Sequence, residues 1–379
     1  MNENRGPNPS KKVIQMLCVA AGGRCQFKGC NKKLFCDALE AKILNNSNIA
    51  HIIASSPEGP RGTEQSHQIS AELDNIMLLC KDHHKLIDDF PETYTEAILK
   101  KMKFDQERLV SDLLDTMYYP KTEIVMLESK IKGCKEAHID YGQAVKAVRK
   151  AGNNPMNMYG ILLQINIQGN YKSPDYWKAA ESGLEFNVMH NIEPLYKRYP
   201  DTILSVFPIA PIPLILKLGY ILGDKRRINI YQKTRTPDTW EWLKEQATNS
   251  FETQKISCNS KSLKTALIIS LTAEINIERV LRVYDAGIIY CIKAKRKGVD
   301  CISSEEDLKL FWQEYQKVCD LLKNIERCET IAVFPAVPVS AAFEMGRRYM
   351  PGIYPKMVIY DDDDGFVKTL TIGGESNVK

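Results

Sequence analysis

The chain has 379 residues, of which 44% are hydrophobic, and this predicts two or three ordinary domains with enough apolar material for their cores. No apolar run reaches the roughly 18 residues of a membrane span, and the polar N-terminus lacks the pattern of a signal peptide, so we expect a soluble cytoplasmic protein without a membrane partner. The net charge of +4 is too small to indicate a nucleic-acid partner by itself, and the 11 cysteines form no even disulfide framework, which is typical of a reducing compartment where thiols bind metal.

Four residues in the first part of the chain have the spacing of a structural zinc site. After a short predicted helix over 11–21, Cys25 and Cys30 flank a glycine-containing turn. Cys80 and His83 form a second pair with two residues between them. Two such pairs can converge on one tetrahedral ion, and three thiolates with one imidazole leave no position for water. The sequence therefore predicts a closed Zn²⁺ site.

His51, Asn75 and His84 remain outside the predicted zinc site and are candidates for a second, open site. His84 directly follows His83 at the start of a helical pattern, so its ring is expected to point away from the zinc. Asp88 lies one turn further on the same face, and the two side chains can hold a hard divalent ion such as Mg²⁺ or Mn²⁺. His51 is then free to act as a general base on water, with Asn75 fixing the loop or ring that presents it.

This order of residues resembles the HNH nuclease family over roughly the first 110 residues. The resemblance implies a ββα-metal fold in which a hairpin carries the base and a helix carries the metal ligand. It also implies that His51 activates water, that Asn75 is the middle residue of the motif, and that His84 binds the catalytic metal. The two Cys/His pairs match the zinc-braced subtype of the family.

The residue before His51 departs from the pattern of this family. Many HNH enzymes carry an acidic residue or a second histidine there to complete the metal shell, whereas this chain has Ala50. Metal coordination would then depend on His84, the substrate phosphate and one nearby carboxylate, either Asp88 or Asp74.

Less specific interpretations remain open for these residues. His51 lies in an apolar run, Ile49–Ile53, and taken alone it is better explained as a buried core histidine; the company of Asn75 and His84 favours catalysis. A zinc module can also be a DNA-binding knuckle without catalysis, although that leaves His51 and His84 without a role. Several basic residues of this region either contact phosphates or form a solvated face, namely Lys32, Lys33, Arg61, Lys100, Lys101 and Lys103.

The rest of the chain has a different organisation. A helical pattern over 92–118 closes the nuclease domain, which we place at 1–118. Residues 124–148 have the pattern of a polar connecting helix within a linker at 119–150. From there to the end of the chain, apolar strand-like runs alternate with amphipathic helices, which indicates an α/β domain with largely parallel strands at 151–379.

The 151–379 region contains an internal repeat. Val206–Gly219 matches Val333–Gly346 at a constant offset of 127 residues, and the next strand repeats at an offset of 129. We therefore expect two fused copies of one α/β unit, at about 155–245 and about 262–379.

Each copy contains a Phe-Pro-x-x-Pro segment, at Phe207–Pro211 and at Phe334–Pro338. The plain interpretation is a strand that ends, a proline-stiffened turn and a helix that begins. The same geometry places a helix N-terminus at the carboxyl end of a strand, where open α/β sheets bind phosphates and nucleotides. Two such turns side by side suit a ligand with repeated nucleotide units. The candidate ligand-binding residues are Phe207, Pro208, Pro211, Phe334, Pro335 and Pro338.

This half of the chain resembles the SAVED domain, a fusion of two CARF-like, Rossmann-like units that senses cyclic oligonucleotides. The best match runs from Phe334–Val339 through Gly346–Pro351 to Val358–Tyr360. The first copy is a weaker match, because Gly219 is not followed by an arginine pair. The two resemblances together imply an α+β protein in which a zinc-braced HNH nuclease domain precedes an α/β SAVED domain.

An HNH domain joined to SAVED resembles the effector nucleases of CBASS, the bacterial antiphage systems in which a partner synthase makes a cyclic nucleotide on infection. The resemblance implies a non-specific double-stranded DNA endonuclease with structural Zn²⁺ and catalytic Mg²⁺ or Mn²⁺. It also implies a cyclic di- or trinucleotide as activator and a homo-oligomer that assembles further on binding it. Two alternatives are a ligand-controlled DNA-binding regulator without catalysis and a sequence-specific, restriction-type HNH nuclease.

Overall fold

The computed structural model describes residues 5–36, 43–131, 138–258 and 261–373. The chain divides into two compact units, residues 1–118 and residues 119–379. Within the described ranges, no helix combines the length and the apolar character needed to cross a membrane.

The N-terminal unit is built around a strand pair and a helix. Its elements are α1 (Lys11–Ala20), β1 (Ser47–His51), α2 (Ser66–Ile69), β2 (Ile76–Cys80), α3 (Lys81–Asp89) and α4 (Glu96–Asp115). β1 and β2 are antiparallel, with Ser47 opposite Cys80 and His51 opposite Ile76. α3 begins directly after β2, so the two strands and this helix form the ββα arrangement that the sequence predicts.

Apolar side chains hold this ββα arrangement together. Every residue of β2 is buried, because its Ile-Met-Leu-Leu-Cys run has no polar face to turn toward water. Leu17 from α1 and Ile87 from α3 pack against the strands in the same core. The core therefore fixes the end of β1, which carries His51, relative to α3, which carries His84.

In its described residues, the C-terminal unit contains two large sheets, a small two-stranded sheet and their helices. Its elements are β3 (Lys121–Ser129), α5 (Tyr141–Lys150), β4 (Asn154–Pro155), β5 (Ile161–Ile165), α6 (Pro174–Asn191), α7 (Glu193–Arg198), β6 (Ile203–Ile209), α8 (Ile212–Leu222), β7 (Ile228–Ile230), β8 (Thr234–Arg235), β9 (Asp238–Thr239), β10 (Phe251–Ser257), β11 (Thr265–Ser270), α9 (Ile277–Leu281), β12 (Ile288–Ala294), α10 (Glu305–Asn324), β13 (Thr330–Ala336), α11 (Val339–Arg347), β14 (Lys356–Asp362) and β15 (Phe366–Ile372). The first sheet is parallel in the order β4-β3-β6-β7, with β5 also paired to β3. The second has the order β10-β12-β11-β13-β14-β15, with parallel inner strands and an antiparallel strand at each edge.

The prediction of a connecting helix over 124–148 is wrong for its first part. Residues 121–129 form β3, which pairs with β4, β5 and β6 inside the first sheet. The Ile-Val-Met-Leu run at 124–127 is buried on both faces of the sheet, and such short apolar runs do not distinguish a central strand from a helix by periodicity. A helix, α5, does cover 141–150, and residues 132–137 of the predicted helix lie outside the described residues.

The internal repeat is visible in how the two halves of this unit pack. β6 and β13 are followed by α8 and α11, and these two helices cross at Gly219 and Gly346, which are equivalent in the repeat. A Cβ atom on Gly219 would lie 2.1 Å from the Phe343 carbonyl oxygen, and one on Gly346 would lie 1.8 Å from the Leu216 carbonyl oxygen. Only glycine permits this backbone-to-backbone approach, so the repeated glycine joins the two α/β units.

Candidate functional site

The four predicted zinc ligands lie together. The ligand atoms of Cys25, Cys30, Cys80 and His83 are all within 4.8 Å of one another. His83 Nδ1 is 3.1 Å from Cys80 Sγ and 3.7 Å from Cys25 Sγ. A tetrahedral Zn²⁺ with ordinary bond lengths needs ligand atoms roughly 3.5–3.8 Å apart. The donor set and its spacing therefore suit a structural zinc ion.

Local structure explains why these ligands converge. Cys80 ends β2 and His83 lies in the first turn of α3, so the chain enters the helix at the cluster. The Cys80 N–H group donates to Cys25 Sγ at 3.3 Å. Phe27, between the first two cysteines, stacks on the His83 ring with 4.0 Å between centroids. Burial raises the pKa of the Cys25 thiol to about 12, so a bound cation is what would stabilise the Cys25 thiolate.

His51 is the candidate general base. It is the last residue of β1 and is half-buried, and its Nε2 lies 3.1 Å from the Ser70 carbonyl oxygen. A carbonyl oxygen only accepts hydrogen bonds, so Nε2 carries the hydrogen and Nδ1 keeps its lone pair. Burial lowers the pKa of His51 below its ordinary value, which favours the neutral ring.

The segment before α1 packs against the same loop, which sequence reasoning missed. The Gly6 N–H group donates to the Ser55 carbonyl oxygen at 2.7 Å. The Ser70 hydroxyl donates to the Pro7 carbonyl oxygen at 2.8 Å. Ser70 therefore holds this segment through its side chain and holds His51 through its backbone.

Asn75 fixes the chain that follows the candidate base. It is buried, and its side chain accepts from the Ile53 N–H group and donates to the Ile53 carbonyl oxygen, both at 2.9 Å. Its own carbonyl oxygen accepts from the Ile52 N–H group at 2.8 Å. The oxygen and the nitrogen of the Asn75 side-chain amide are therefore both bonded to Ile53, so Asn75 is placed to position the loop after His51.

His84 and Asp88 form a pair on the exposed side of α3. His84 Nε2 is 3.4 Å from Asp88 Oδ2, and both side chains are more than a third exposed. Neighbouring ligands of an octahedral Mg²⁺ ion lie roughly 3 Å apart, so these two atoms suit one divalent ion. The charges of both residues affect the pKa of His51, which places the candidate base in the same electrostatic environment. Ala50 is buried in the core and offers no ligand atom.

Arg61 has a different role from the phosphate contact considered from the sequence. Its side chain is 7% exposed and is bonded to Asp88 Oδ1 at 3.1 Å. It also donates to the Ile52 and Ile87 carbonyl oxygens, both at 2.6 Å. A guanidinium that is engaged in this way is not available to a DNA phosphate. No sequence pattern indicates these bonds, because their partners are 9 to 27 residues away.

In the C-terminal unit, the two Phe-Pro-x-x-Pro turns have the predicted backbone but not the predicted surface. α8 and α11 begin directly after Pro211 and Pro338. Phe207 and Phe334, however, are fully buried and stack on Tyr231 and Tyr360. The prolines of both turns are also buried, namely Pro208, Pro211, Pro335 and Pro338. The expectation that the phenylalanine rings shape a ligand site does not fit this burial, because core rings present no surface to a ligand.

The N-terminus of α11 is also occupied. The Ser340 N–H group and hydroxyl donate to Gln232 Oε1 at 3.1 and 2.8 Å. Gln232 follows β7 in the first sheet, so this amide links the two halves of the unit. An anionic ligand would have to compete with Gln232 for this helix end.

A basic run that sequence reasoning missed lies at the carboxyl edge of the second sheet. Lys293–Lys297 contains four basic residues in five positions, at the end of β12. β11, β12 and β13 are parallel, so this run lies at the same edge as the turn before α11. Lys293 and Lys297 pair with Glu274, whereas Lys295 and Arg296 are exposed beside them. The four closely spaced basic residues were the sequence signal that could have indicated this patch.

Two adjoining cavities lie near the end of α11. They measure about 190 and 410 Å³ and share Trp312, Arg347 and Arg348 in their linings. Arg348 lies over the Trp312 ring, 5.2 Å from its centroid. Both arginines are bonded to the buried carboxylate of Glu344, so one of the two positive charges that follow Gly346 is compensated.

A Cys/His cluster that can hold a metal ion, on a ββα unit that also carries a candidate general base, is typical of the class of ββα-metal domains. Residues 25–91 match the family described as HNH endonuclease, and residues 192–372 match SAVED, the "SMODS-associated and fused to various effectors sensor domain". The chain therefore carries an HNH domain followed by a SAVED domain.

Solved structures that are similar to this chain include receptors that contain a SAVED/CARF domain. Acinetobacter baumannii Cap4 with the cyclic trinucleotide 2′3′3′-cAAA is 14% identical, with a TM-score of 0.43, over 82% of this chain and 67% of that one. The same protein with 3′3′3′-cAAA gives equal values. Moraxella osloensis Cap4 is 13% identical, with a TM-score of 0.40, over 76% of this chain and 60% of that one. No curated protein matches the sequence.

Proposed function

We propose that this chain is an effector nuclease of a CBASS antiphage system, in which the SAVED domain binds a cyclic oligonucleotide and the HNH domain then cleaves double-stranded DNA without sequence specificity. The observation that carries the proposal is the arrangement around His51. A histidine whose Nδ1 keeps its lone pair lies in the electrostatic environment of His84 and Asp88, on a unit that also holds the Cys/His cluster.

His51 would take a proton from the water that attacks the phosphorus atom. Its Nδ1 accepts this proton, while the Nε2–H bond to the Ser70 carbonyl oxygen holds the ring and stabilises the resulting imidazolium. The water oxygen forms a bond to phosphorus, the P–O bond to the leaving sugar oxygen breaks, and solvent supplies a proton to that oxygen. Asn75 keeps the loop after His51 in place during this change of charge.

Two kinds of metal would support this chemistry. Mg²⁺ or Mn²⁺, held by His84 and Asp88, would stabilise the negative charge that develops on the phosphate. Zn²⁺, held by Cys25, Cys30, Cys80 and His83, would be structural, because four protein ligands leave no open position for substrate.

The ligand side of the proposal is a cyclic di- or trinucleotide. The SAVED match supports a sensor role, and the exposed cations Lys295 and Arg296 at the carboxyl edge offer charge complementarity to phosphates. We further propose that binding changes the assembly of the chain, because one HNH site cuts one strand and a double-strand break is most easily made by two sites. The ligand would favour the assembled form by its higher affinity for it.

The test uses the full chain, supercoiled plasmid, Mg²⁺ and a panel of cyclic di- and trinucleotides. We expect cleavage only with an activating nucleotide, and no cleavage by His51→Ala with any of them. His190→Ala is a matched control, since His190 lies on α6 in the other unit and should be dispensable. Parental cleavage by His51→Ala would contradict the assignment of the base.

The same experiment separates the alternatives. Cutting at fixed sites without any nucleotide would support a restriction-type nuclease. Nucleotide-dependent DNA binding without cutting, in both the parent and His51→Ala, would support a regulator.

A further inference from the structure

Arg61 joins the two segments that carry the candidate catalytic residues. Its Nε donates to the Ile52 carbonyl oxygen at 2.6 Å, directly after His51 at the end of β1. Its Nη1 donates to the Ile87 carbonyl oxygen at 2.6 Å, in the last turn of α3. Its Nη2 is 3.1 Å from Asp88 Oδ1. One buried side chain therefore connects the strand of the base with the helix of the metal-ligand pair.

The backbone at Arg61 indicates that this side chain is needed. Arg61 has a φ of 60°, in the left-handed region, and Gly59 and Gly62 complete the same turn. A residue with a Cβ atom adopts this conformation at a free-energy cost that glycine avoids. Strain of this kind, combined with three hydrogen-bonded groups on a buried guanidinium, points to a function for the side chain rather than for the turn.

We infer that Arg61 is a positioning residue of the divalent-ion site: it fixes one oxygen of Asp88, so that the other oxygen and His84 Nε2 face the same ion. The inference rests on the proposed nuclease function. The Asp88 side chain is 40% exposed, and without a partner it would sample several rotamers. The planar guanidinium can hold two carbonyl oxygens and a carboxylate at once, whereas the single ammonium group of lysine cannot reproduce that fork.

The test measures Mn²⁺ affinity of the full chain without DNA, by isothermal titration calorimetry or electron paramagnetic resonance. The proteins are the parent, Arg61→Lys, Asp88→Asn and the double variant. We expect each single variant to bind Mn²⁺ about 10-fold or more weakly, which is the range for loss of a group that orients a metal ligand. The double variant should bind no more weakly than Asp88→Asn, because Arg61 acts through Asp88.

Arg108→Lys is the matched control. Arg108 lies on α4 with a 65% exposed side chain, 3.9 Å from Asp112, and its replacement should leave Mn²⁺ affinity unchanged. Zinc content and melting temperature are measured for every variant, so that a general loss of structure is recognised.

Three results would overturn the inference. One is unchanged Mn²⁺ affinity in folded Arg61→Lys. The second is an Arg61→Lys effect of equal size with and without Asp88→Asn, since Arg61 would then act elsewhere. The third applies if Arg61→Lys does not fold, and it is parental Mn²⁺ affinity in Asp88→Asn. This variant leaves both bonds from Arg61 to carbonyl oxygens in place, so unchanged affinity would refute the metal site itself. By contrast, a parent that binds Mn²⁺ but cuts no DNA with any cyclic nucleotide would refute the proposed function and leave the positioning role standing.

Discussion

Replacing Cys80 by alanine should destabilise the N-terminal unit far more than the loss of a buried thiol explains. Apparent Zn²⁺ binding free energies of small zinc modules are about 10–16 kcal/mol, so each of four ligands contributes about 2.5–4 kcal/mol. A unit of this size has a stability of about 6–18 kcal/mol at ordinary values per residue. Cys80→Ala should therefore remove a large fraction of that stability and release zinc.

Differential scanning calorimetry and zinc analysis of the purified full chain would measure both effects. We expect the unfolding of the N-terminal unit to shift to lower temperature while that of the C-terminal unit stays in place. Cys319→Ala is the matched control, because Cys319 is fully buried in α10 and belongs to no Cys/His cluster in the described ranges. Its replacement should cost about 1 kcal/mol, typical of a point mutation. A Cys80→Ala protein with full zinc content and parental melting would refute the ligand assignment.

Three further predictions concern catalysis, packing and activation. The rate of DNA cleavage should fall with decreasing pH only below pH 6.5. Burial lowers the pKa of His51 from that value, and a bound divalent ion would lower it further. A pH–rate profile in which the rate already falls above pH 6.5 would contradict a neutral His51 base. Gly346→Ala should destabilise the C-terminal unit by about 3 kcal/mol, because its Cβ would clash with the Leu216 carbonyl oxygen. Gly183→Ala is the control and should be tolerated, because its Cβ would meet only Ile165, at 4.0 Å. Thermal melting compares the two variants. Lys295→Glu should weaken activation by the cyclic nucleotide without changing zinc content, and its activation at the parental nucleotide concentration would place the ligand elsewhere. Light scattering of the parent should show a larger particle on activation. An unchanged particle size would contradict the assembly proposal.

The parts of the molecule that were predictable from the sequence are those with a short-range signal. The spacing of Cys25/Cys30 and Cys80/His83 predicts a cluster, because each pair needs only a local turn to bring its ligands together. The pairing of His84 with Asp88 follows from the helical period. The repeat predicted equivalent helices after Pro211 and Pro338, and the structure has both.

The missed features depend on partners that are distant in the chain. The sequence pattern of β3 does not distinguish it from a helix, because its burial comes from neighbouring strands that the sequence does not place beside it. Phe207 and Phe334 were assigned to a ligand surface because the motif shows their position in the turn but not the tyrosines that cover them. Arg61 has the same explanation, since its partners lie on β1 and α3.

A physical division of roles follows from this difference. The proposed reactive groups, His51 and His84, must be exposed enough to meet substrate, so their own contacts are few and their position depends on other residues. Arg61 and Asn75 supply that position through hydrogen bonds to backbone atoms on both sides of the site. Because a bond to a backbone atom does not specify the partner's side chain, such residues leave no complementary pattern in a single sequence. In this chain, therefore, local motifs predict which residues are candidates for the chemistry, whereas only the fold shows the contacts that position them.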